Sequence, residues 1–494
     1  MASHLFTRIT GAALTAALLA SCGAQDDGTL DVALIGDADS IYTTSLRLSG
    51  SAQHLRAATQ SGLVGLNAEG EVVPALAETW LPADDGLSFI FRLRAAPWPN
   101  GEPMTAQSAR DALVEAIDGL EGTSLGQDLA PIEEVRALAG RVVEVRLSTP
   151  EPYLLQLLAQ PELALRREEG GTGAMLLKQS VEDESMAMLE FKPPDTRGMA
   201  MDEDWLDDVQ EVALRVSDAR QAIALFDDNA VELVLGGTIG DFPMVETGPL
   251  STGTLRVDTG LGLFGLRVMN ADGVLSDEAA REGLAMALDR DEVMRVFGLG
   301  GWPVSTRPVN PGLPNDPGLV AERWQGEELE DLRATAAARI AAAREGGEGP
   351  VRLSLAMAEG PGWNILFDEL AAQYATVGVE LVRARSLREA DLAIVDRIAR
   401  YPSPRWYLGQ FRCTLGRGLC SEAADTLAAQ AMTQSDPQAR ATLMAQAEAE
   451  LTLQNIYIPI GRPLRWSLAR GNVEGFASNV YAFHPLPPMA TRPR

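Results

Sequence analysis

The amino-acid sequence predicts an α/β protein built of several lobes. Two observations support this prediction: segments with strand-like alternation, such as residues 87–94, recur between helical segments, and residues 351–383 form one β-α-β unit. No repeat of fixed period runs along the chain, which argues against a solenoid. Short strands and helices are therefore expected to alternate within packed lobes.

The predicted elements of the first half begin and end at turn or capping residues. Three helices are expected to start at Thr105, at Ser217 or Asp218, and at Ser276, and to run to residues 117, 226 and 288. The predicted strands of this half are residues 30–35, 71–80, 87–94, 142–147, 210–216, 231–235, 254–257 and 263–269.

The second half of the chain is richer in predicted helix. A helix rich in Ala, Arg and Glu covers residues 329–344 and ends before two glycines, and another covers residues 365–376 inside the β-α-β unit. A long alanine-rich helical region, residues 421–452, is interrupted near Pro437. The predicted strands of this half are residues 351–356, 379–383, 391–395, 456–460 and 464–468.

Length and composition describe an ordinary globular protein. The chain has 494 residues, a length that allows roughly three domain-sized units. Of these residues 46% are hydrophobic and 22% are charged, which is typical of globular proteins. Its formal net charge of −28 argues against a nucleic-acid partner, because the phosphates would be repelled. The net charge does not define the ligand, since a local basic pocket can lie inside an acidic envelope.

The N-terminus predicts export and lipidation. Residues 9–20 form an apolar stretch that is too short to span a bilayer and is typical of a cleaved secretory signal. The stretch ends in Leu19-Ala20-Ser21-Cys22, which resembles the lipobox of bacterial lipoproteins, where the cysteine is acylated. The alternative is an ordinary signal peptide beside a small buried cysteine. We expect a signal peptide over residues 1–21, lipid on Cys22 as a membrane anchor outside the cytoplasm, and a polar tether over residues 22–29.

Two further cysteines are expected to form a disulfide. With Cys22 assigned to lipid, Cys413 and Cys420 are a natural pair in an oxidising compartment. The loop between them carries two glycines that allow the chain to fold back. Two free thiols are the alternative.

The sequence does not predict an enzyme. The string Gly260-Leu-Gly262-Leu-Phe-Gly265 matches the dinucleotide-binding pattern, but its continuation is extended instead of helical. Gly122-Thr-Ser124-Leu-Gly126 matches the pattern of serine hydrolases, but it follows a helix instead of a strand. The three histidines are dispersed along the chain, so we expect no metal site and no cofactor. Nothing in the sequence places two of its many carboxylates across a scissile bond.

Three segments in a fixed order carry a family resemblance over most of the chain. The first contains Val73-Pro-Ala-Leu-Ala-Glu-Thr-Trp80 and Pro103-Met-Thr-Ala106, and the second contains Asn270 and Ala287-Leu-Asp-Arg290. The third contains Tyr401-Pro-Ser-Pro404 and Tyr457-Ile-Pro459. Together they resemble the family 5 extracellular solute-binding proteins, the oligopeptide, dipeptide and nickel receptors of bacterial ABC importers.

The resemblance implies an α/β fold of the type II-like periplasmic-binding-protein class, a two-lobed clamp with an extra domain inserted in the first lobe. Two crossing strands would join the lobes, and a ligand bound between them would stabilise a hinge-closed state. The implied ranges are residues 30–50, 166–256 and 466–494 for lobe 1, residues 51–165 for the inserted domain, and residues 257–465 for lobe 2.

The segment before the Tyr-Pro motif departs from the peptide-binding relatives. Those relatives usually present an aromatic and an acidic residue there, and the acid receives the α-amino group of the ligand. Here Arg397 and Arg400 take these places, and a guanidinium binds a carboxylate instead of an ammonium. We expect an anionic or hydrogen-bond-accepting ligand group at these arginines, with Tyr401 and Trp406 as further ligand-binding residues. In the alternative, the arginines face solvent or pair with Asp396, and the aromatic residues pack in the core.

The resemblance also implies a function and partners. The protein would be a substrate-binding lipoprotein in the periplasm or cell envelope, which captures a peptide or a peptide-sized organic solute and delivers it to the permease of an ABC importer. Membrane permease subunits and cytoplasmic ATPases would be its partners, and we expect a monomer. The alternative is an envelope lipoprotein with the same fold that acts as a ligand sensor or interaction protein.

Overall fold

The computed structural model describes residues 28–492, except residues 168–169, 181–182, 184, 246–252 and 345–348. The expected signal peptide, Cys22 and most of the tether lie outside the described residues. Within the described part of the chain, no helix is long and apolar enough to cross a membrane.

The strands follow the alternating apolar segments of the sequence. In chain order they are β1 (Thr29–Ile35), β2 (Val64–Leu66), β3 (Val72–Pro74), β4 (Ala77–Pro82), β5 (Ser88–Leu93), β6 (Ile132–Ala137), β7 (Val142–Leu147), β8 (Arg166–Arg167), β9 (Gly170–Gly171) and β10 (Met175–Gln179). The series continues with β11 (Met186–Phe191), β12 (Glu211–Ser217), β13 (Leu233–Thr238), β14 (Leu255–Thr259), β15 (Gly262–Val268), β16 (Val351–Ala356), β17 (Val379–Arg383), β18 (Leu392–Ile398), β19 (Tyr457–Gly461) and β20 (Leu464–Ala469).

Most of the helices begin after a residue whose side chain satisfies one of the first free backbone N–H groups. Thr105 accepts from the N–H of Ser108, and Asp218 accepts from that of Gln221. The helices are α1 (Gly50–Thr59), α2 (Ala106–Asp118), α3 (Ser124–Asp128), α4 (Leu154–Leu158), α5 (Ala219–Asp227), α6 (Glu278–Met286), α7 (Arg290–Arg295), α8 (Leu329–Ala342), α9 (Pro361–Ala375), α10 (Pro404–Gly409), α11 (Glu422–Met432), α12 (Pro437–Leu453) and α13 (Leu486–Met489). The predicted interruption near Pro437 is confirmed, because this proline is the first residue of α12.

Lobe 1 is organised around a seven-stranded sheet in the order β10-β11-β12-β1-β13-β20-β14. Its central strand β1 pairs in parallel with β12 and β13 and is covered on both faces. On one face Leu30 and Val32 belong to the same apolar cluster as Leu55 of α1. On the other face Ala33 packs in a second cluster with Ala222 of α5. The N-terminal strand is therefore the middle of the lobe 1 core.

Lobe 2 is organised around a five-stranded sheet in the order β17-β16-β18-β15-β19. Strand β16 pairs in parallel with β17 and β18, while β15 is antiparallel to both of its neighbours. All seven residues of β15 are buried, and all of them except Arg267 are apolar residues or glycine. Helices α6, α8 and α9 contribute Leu284, Ile340 and Leu366 to the cluster that covers one face of the sheet.

The inserted domain contains a four-stranded antiparallel sheet in the order β4-β5-β7-β6. Phe91 of β5 and Val145 of β7 pack with Leu113 of α2 in its core. The same apolar cluster continues into lobe 2 through Trp406 of α10 and Leu451 of α12. The inserted domain therefore packs directly on lobe 2.

The chain passes between the two large sheets at two places. Residues 260–261 connect β14 of lobe 1 to β15 of lobe 2, and residues 462–463 connect β19 to β20. Gly262 follows the first connection with φ at +153°, and a Cβ there would come within 2.0 Å of the carbonyl oxygen of Arg397. Gly262, the second glycine of the G-x-G-x-x-G string, is therefore explained by the close approach of the β18 backbone, which leaves no room for a side chain.

Several predicted boundaries need correction. The inserted domain does not include α1, because Leu55 and Ala58 of that helix pack on the lobe 1 sheet. The strand expected over residues 71–80 is two strands, β3 and β4, since Pro74 has no N–H to extend the ladder. Asp277 caps α6 in place of Ser276, and the helix expected up to residue 288 ends at Met286. At the lobe boundary, β14 extends to residue 259 and β20 begins at residue 464.

Candidate ligand-binding cleft

A cavity of about 740 Å³ lies where lobe 1, the inserted domain and lobe 2 meet. This volume is in the range of sites that enclose small organic ligands. Lobe 1 contributes Arg47, Gln53, His54, Thr238 and Asp241, and the inserted domain contributes Thr123, Ser124, Gln160 and Glu162. Lobe 2 contributes Asp396, Arg397, Arg400, Trp406, Gln410 and Arg417, and strand β20 contributes Arg465.

Arg397, one of the expected ligand-binding residues, lines the cavity. It is on β18 opposite Leu263, and its Nη1–H donates to Oε1 of Gln410 at 3.0 Å. Burial, followed by the nearby charges of Arg417 and Arg400, lowers the pKa of Arg397. Asp396 is not its partner, because that carboxylate bonds to Arg465 at 2.9 and 3.0 Å.

Arg400 also lines the cavity, but its charge is paired within the chain. Its guanidinium lies 3.2 Å from Oε1 of Glu162, a buried residue in the short 3-10 turn Pro161–Leu163 of the inserted domain. The same oxygen accepts from Nε2 of Gln53 at 3.2 Å. Arg400 therefore links lobe 2 to the inserted domain, and Glu162 balances its charge.

Trp406 lines the cavity from helix α10. This helix starts after Ser403, whose hydroxyl accepts from the N–H of Arg405, and Pro404 occupies its first position. The indole packs edge-on against Tyr407 with ring centroids 5.1 Å apart. It is almost completely buried, so it offers an edge to the cavity while most of its surface belongs to the core.

Tyr401 does not line the cavity and is instead a core residue. Its side chain is fully buried, and its hydroxyl donates to Oδ1 of Asp128 in the inserted domain at 3.0 Å. Its ring stacks on Tyr153 with centroids 5.3 Å apart. The expected role of Tyr401 in ligand binding is therefore corrected to a contact between lobe 2 and the inserted domain.

Two buried tyrosines, one with and one without a hydrogen-bond partner, show how a buried hydroxyl affects the free energy of unfolding. Tyr374 is fully buried, and its hydroxyl has no hydrogen-bond partner among the described residues. Tyr374→Phe should raise the free energy of unfolding by about 1 kcal/mol, because it removes an unsatisfied polar group and keeps the ring. Tyr401→Phe, the matched variant, should lower it by about 1–3 kcal/mol, because it leaves Asp128 without its donor. Urea denaturation of both variants checks the opposite signs, and equal effects would contradict the argument.

A buried ion pair reinforces the contact between the inserted domain and lobe 2. Arg405 of α10 pairs with Glu151, and both side chains are buried. Nη2–H of Arg405 also donates to the carbonyl oxygen of Asp128 at 3.1 Å. Together with the pair between Arg400 and Glu162, these bonds hold one wall of the cleft together.

Cys413 and Cys420 are bonded to each other, with their Cα atoms 5.1 Å apart. The loop that they close carries Arg417 to the cavity. Backbone N–H of Leu419 donates to the carbonyl oxygen of Val268 at 2.9 Å, which attaches the loop to β15. The disulfide therefore helps to position a cavity-lining arginine that the sequence analysis missed.

Removing this disulfide should cost stability and loosen Arg417. A loop of this length restricts the unfolded chain by about 2–3 kcal/mol. Cys413→Ser/Cys420→Ser is expected to lower the free energy of unfolding by about that amount, measured by urea denaturation. The matched control is a reductant, which should destabilise the wild type similarly and leave the double variant unchanged. A reductant effect on the double variant would contradict this assignment.

His54 is a second cavity residue that sequence reasoning missed. Its Nδ1–H donates to the carbonyl oxygen of His484 at 3.0 Å, and its ring stacks on Phe483 with centroids 5.0 Å apart. Burial, with a smaller contribution from His484, lowers the pKa of His54 to about 3. The imidazole is therefore neutral near pH 7. Its partner lies 430 residues away along the chain, which no local pattern can reveal.

The described residues contain no group of three or more His, Cys, Asp or Glu side chains that could hold a metal ion. Ser124, in the string that matches serine hydrolases, is the first residue of α3 after the Thr123 cap. It follows α2 and a turn, so the strand-to-helix elbow of those enzymes is missing.

Comparison with known proteins places this architecture in a family. Residues 71–415 match the sequence profile of the bacterial extracellular solute-binding proteins, family 5 Middle. The chain belongs to this family. The sequence prediction of the family is thereby confirmed.

The relatives of this family 5 protein agree in fold. The periplasmic murein peptide-binding protein MppA of Escherichia coli K12 is 23% identical over 476 residues, which cover 85% of this chain and 84% of MppA. The crystal structure of Haemophilus influenzae OppA in complex with RPPGFSPFR superposes with a TM-score of 0.79 at 17% identity, covering 95% of this chain and 99% of OppA. The structure of AgaA from A. tumefaciens R10 with agropinic acid gives a TM-score of 0.72 at 16% identity, covering 94% and 99%. The predicted two-lobed α/β fold is confirmed.

Proposed function

We propose that this family 5 protein is the lipid-anchored receptor of an ABC importer for a peptide-sized organic solute. The observation that carries the proposal is the cavity of about 740 Å³, which is walled by both lobes and the inserted domain. Relatives support the same role, since MppA is named for murein peptides and the AgaA complex contains agropinic acid. The relatives are solute-binding proteins and not enzymes, so we propose no reaction.

The two connections between the sheets supply the conformational mechanism. Residues 260–261 and 462–463 carry the chain between lobes, so small backbone rotations there would open and close the cleft. A ligand that contacts both lobes binds the closed state better and shifts the population toward it. A membrane permease that docks to the closed lobes would then receive the solute, and ATPase subunits would drive its transport.

Lipidation of Cys22 would keep the receptor beside the permease. Growth with an alkyne-tagged fatty acid should label the wild-type protein and leave Cys22→Ser unlabelled, because the thiol is the acylated group. The labelled protein should fractionate with membranes, and the variant should be released after export. Equal labelling of both proteins would contradict a lipid on this residue.

Uptake measurements test the receptor role. A strain that lacks the gene should lose uptake of at least one solute from a defined mixture of peptides and organic acids, and the restored gene should recover it. The same solute should raise the thermal midpoint of the purified protein, because a ligand at 100 times its Kd stabilises the folded state by about 2.7 kcal/mol. Uptake that is unchanged for every solute would contradict the transport proposal.

A further inference from the structure

The net charge of the residues that line the cleft is opposite in sign to the net charge of the whole chain. The whole chain has a formal net charge of −28. The cavity is lined by five arginines and three carboxylates, an excess of two positive charges, while His54 is neutral. The arginines are Arg47, Arg397, Arg400, Arg417 and Arg465, and the carboxylates are Glu162, Asp241 and Asp396. A positive pocket in an acidic envelope selects for negative groups.

Internal pairing leaves the excess at one wall. Glu162 pairs with Arg400, and Asp396 pairs with Arg465. Asp241, which accepts from the hydroxyl of Thr238 at 3.1 Å, lies on the lobe 1 side of the cavity together with Arg47, so the formal charges of that side balance. Arg397 and Arg417 have no ion-pair partner among the described residues, and both lie on the lobe 2 side.

A third arginine lies behind this wall. Arg267 of β15 is only 7% exposed, and its Nη1–H donates to the carbonyl oxygen of Gln410 at 3.1 Å. Its Nε and Nη2 have no hydrogen-bond partner among the described residues. Burial, followed by the charges of Arg397 and Arg417, lowers the pKa of Arg267 to about 10, so it stays charged at pH 7. Three neighbouring guanidinium groups therefore share a region with no carboxylate bound to them in the described chain.

We propose that Arg267, Arg397 and Arg417, the arginine triad, form the site for an oxyanion of the transported solute. A carboxylate or phosphate bound to the exposed guanidinium groups of Arg397 and Arg417 would supply the missing negative charge. The buried guanidinium of Arg267 would add to the positive potential at this position. Arg400 is outside the triad, because Glu162 neutralises it. The inference rests on the proposed receptor function and defines its substrate class as solutes with at least one oxyanion group.

The triad gives a physical consequence to the arginines that precede the Tyr-Pro motif, where peptide-binding relatives usually have an acidic residue. A free amino terminus would be repelled by the triad, and among the described lining residues the one carboxylate without an ion-pair partner is Asp241, on the opposite lobe. Recognition should therefore depend on the oxyanion of the solute, whether or not the solute also carries an amine. This dependence gives a direct chemical test.

The test compares solutes that differ only in the oxyanion. The mature full chain, purified in detergent, is dialysed against tripeptides of mixed sequence without Asp or Glu, prepared in matched forms, and the retained peptides are identified by mass spectrometry. The forms are the free acid and the C-terminal amide, each with a free or acetylated amino terminus, and an acetylated amide that carries phosphoserine. The acid and phosphoserine forms should be retained about ten- to a hundredfold better than the neutral amide, as expected for loss of a charge-assisted bond. Retention of only one of them identifies the oxyanion as carboxylate or phosphate.

Variants separate the triad from general effects of charge. Arg397→Ala/Arg417→Ala should bring the acid-to-amide ratio close to one, while Arg397→Lys should keep part of it. Arg352→Ala removes an exposed arginine from β16, away from the cavity lining, and should keep the full ratio. The thermal midpoints of all variants report whether each is folded.

Two outcomes would overturn the inference, and they differ in what they say about the receptor. If amides are retained as well as acids, or if the double variant keeps the wild-type ratio, the triad is not the oxyanion site and the receptor role stands. If the folded wild type retains no form at all, the oxyanion inference fails, and the proposed receptor function for solutes of this size loses its support as well.

Discussion

Glu448→Ala is expected to lower the free energy of unfolding by about 3–4 kcal/mol, because it leaves a buried charge without its main partner. Glu448 on α12 accepts two hydrogen bonds from Arg307, 2.9 Å from Nε to Oε1 and 2.8 Å from Nη2 to Oε2. Arg307 is 5% exposed and Glu448 is 2% exposed, so water cannot replace the lost carboxylate. Asp316, 3.0 Å from Nη1, would remain as a partner and limits the loss. Urea denaturation at pH 7 measures the difference.

Two variants of the same helix serve as controls. Glu450→Ala removes a carboxylate two residues further on, which accepts from the side chain of Gln454 at 3.1 Å and is only partly buried. Its expected cost is within about 0.5 kcal/mol. Glu448→Gln keeps one acceptor for Arg307 and should lie between the two. A loss for Glu448→Ala no larger than that for Glu450→Ala would show that the pair does not stabilise the protein.

Local patterns predicted many of the elements, because the forces that define them act within a few residues, but they missed helix α1 and strands β6, β10 and β11. Asp218 caps α5 through an N–H three residues ahead, and Pro437 starts α12 because it lacks the N–H that a helix interior requires. The assignment of strands to lobes came from the family resemblance and not from local patterns. The predicted start of the inserted domain was wrong, because it included α1, and a helical pattern does not show which sheet the helix packs on.

The site was only partly predictable, because its energetics depend on partners that are distant in sequence. The motif predicted Arg397, Arg400 and Trp406 as ligand-binding residues, and all three line the cavity. It could not show that Glu162, 238 residues earlier, neutralises Arg400. Tyr401 was expected at the ligand, but Asp128, 273 residues earlier, holds it in the core. Arg417 was missed because its position depends on a disulfide loop that folds back onto β15.

His54 should make the stability of the protein fall with decreasing pH. Its pKa is about 3 in the folded protein and about 6.5 in the unfolded chain, so the folded state favours the neutral imidazole. This contribution is fully present above pH 6.5 and is lost as the pH falls toward 3, at about 1.4 kcal/mol per pH unit. His54→Gln keeps a donor for the carbonyl of His484 and removes the titration. The wild type should therefore lose about 4–5 kcal/mol relative to His54→Gln between pH 6.5 and 3.

Urea denaturation of both proteins at pH 7, 6, 5, 4 and 3 isolates this effect from the other titrating groups. Burial raises the pKa of Asp128 and Asp396, which favours the folded state at lower pH and has the opposite sign. These carboxylates are present in both proteins, so they cancel in the difference, and a difference that stays constant with pH would contradict the assignment. Because His54 remains neutral well below pH 6, the positive excess of the cleft comes from its arginines alone. The pH dependence of oxyanion binding should accordingly be the same in wild type and His54→Gln between pH 5 and 8, even as their stabilities diverge.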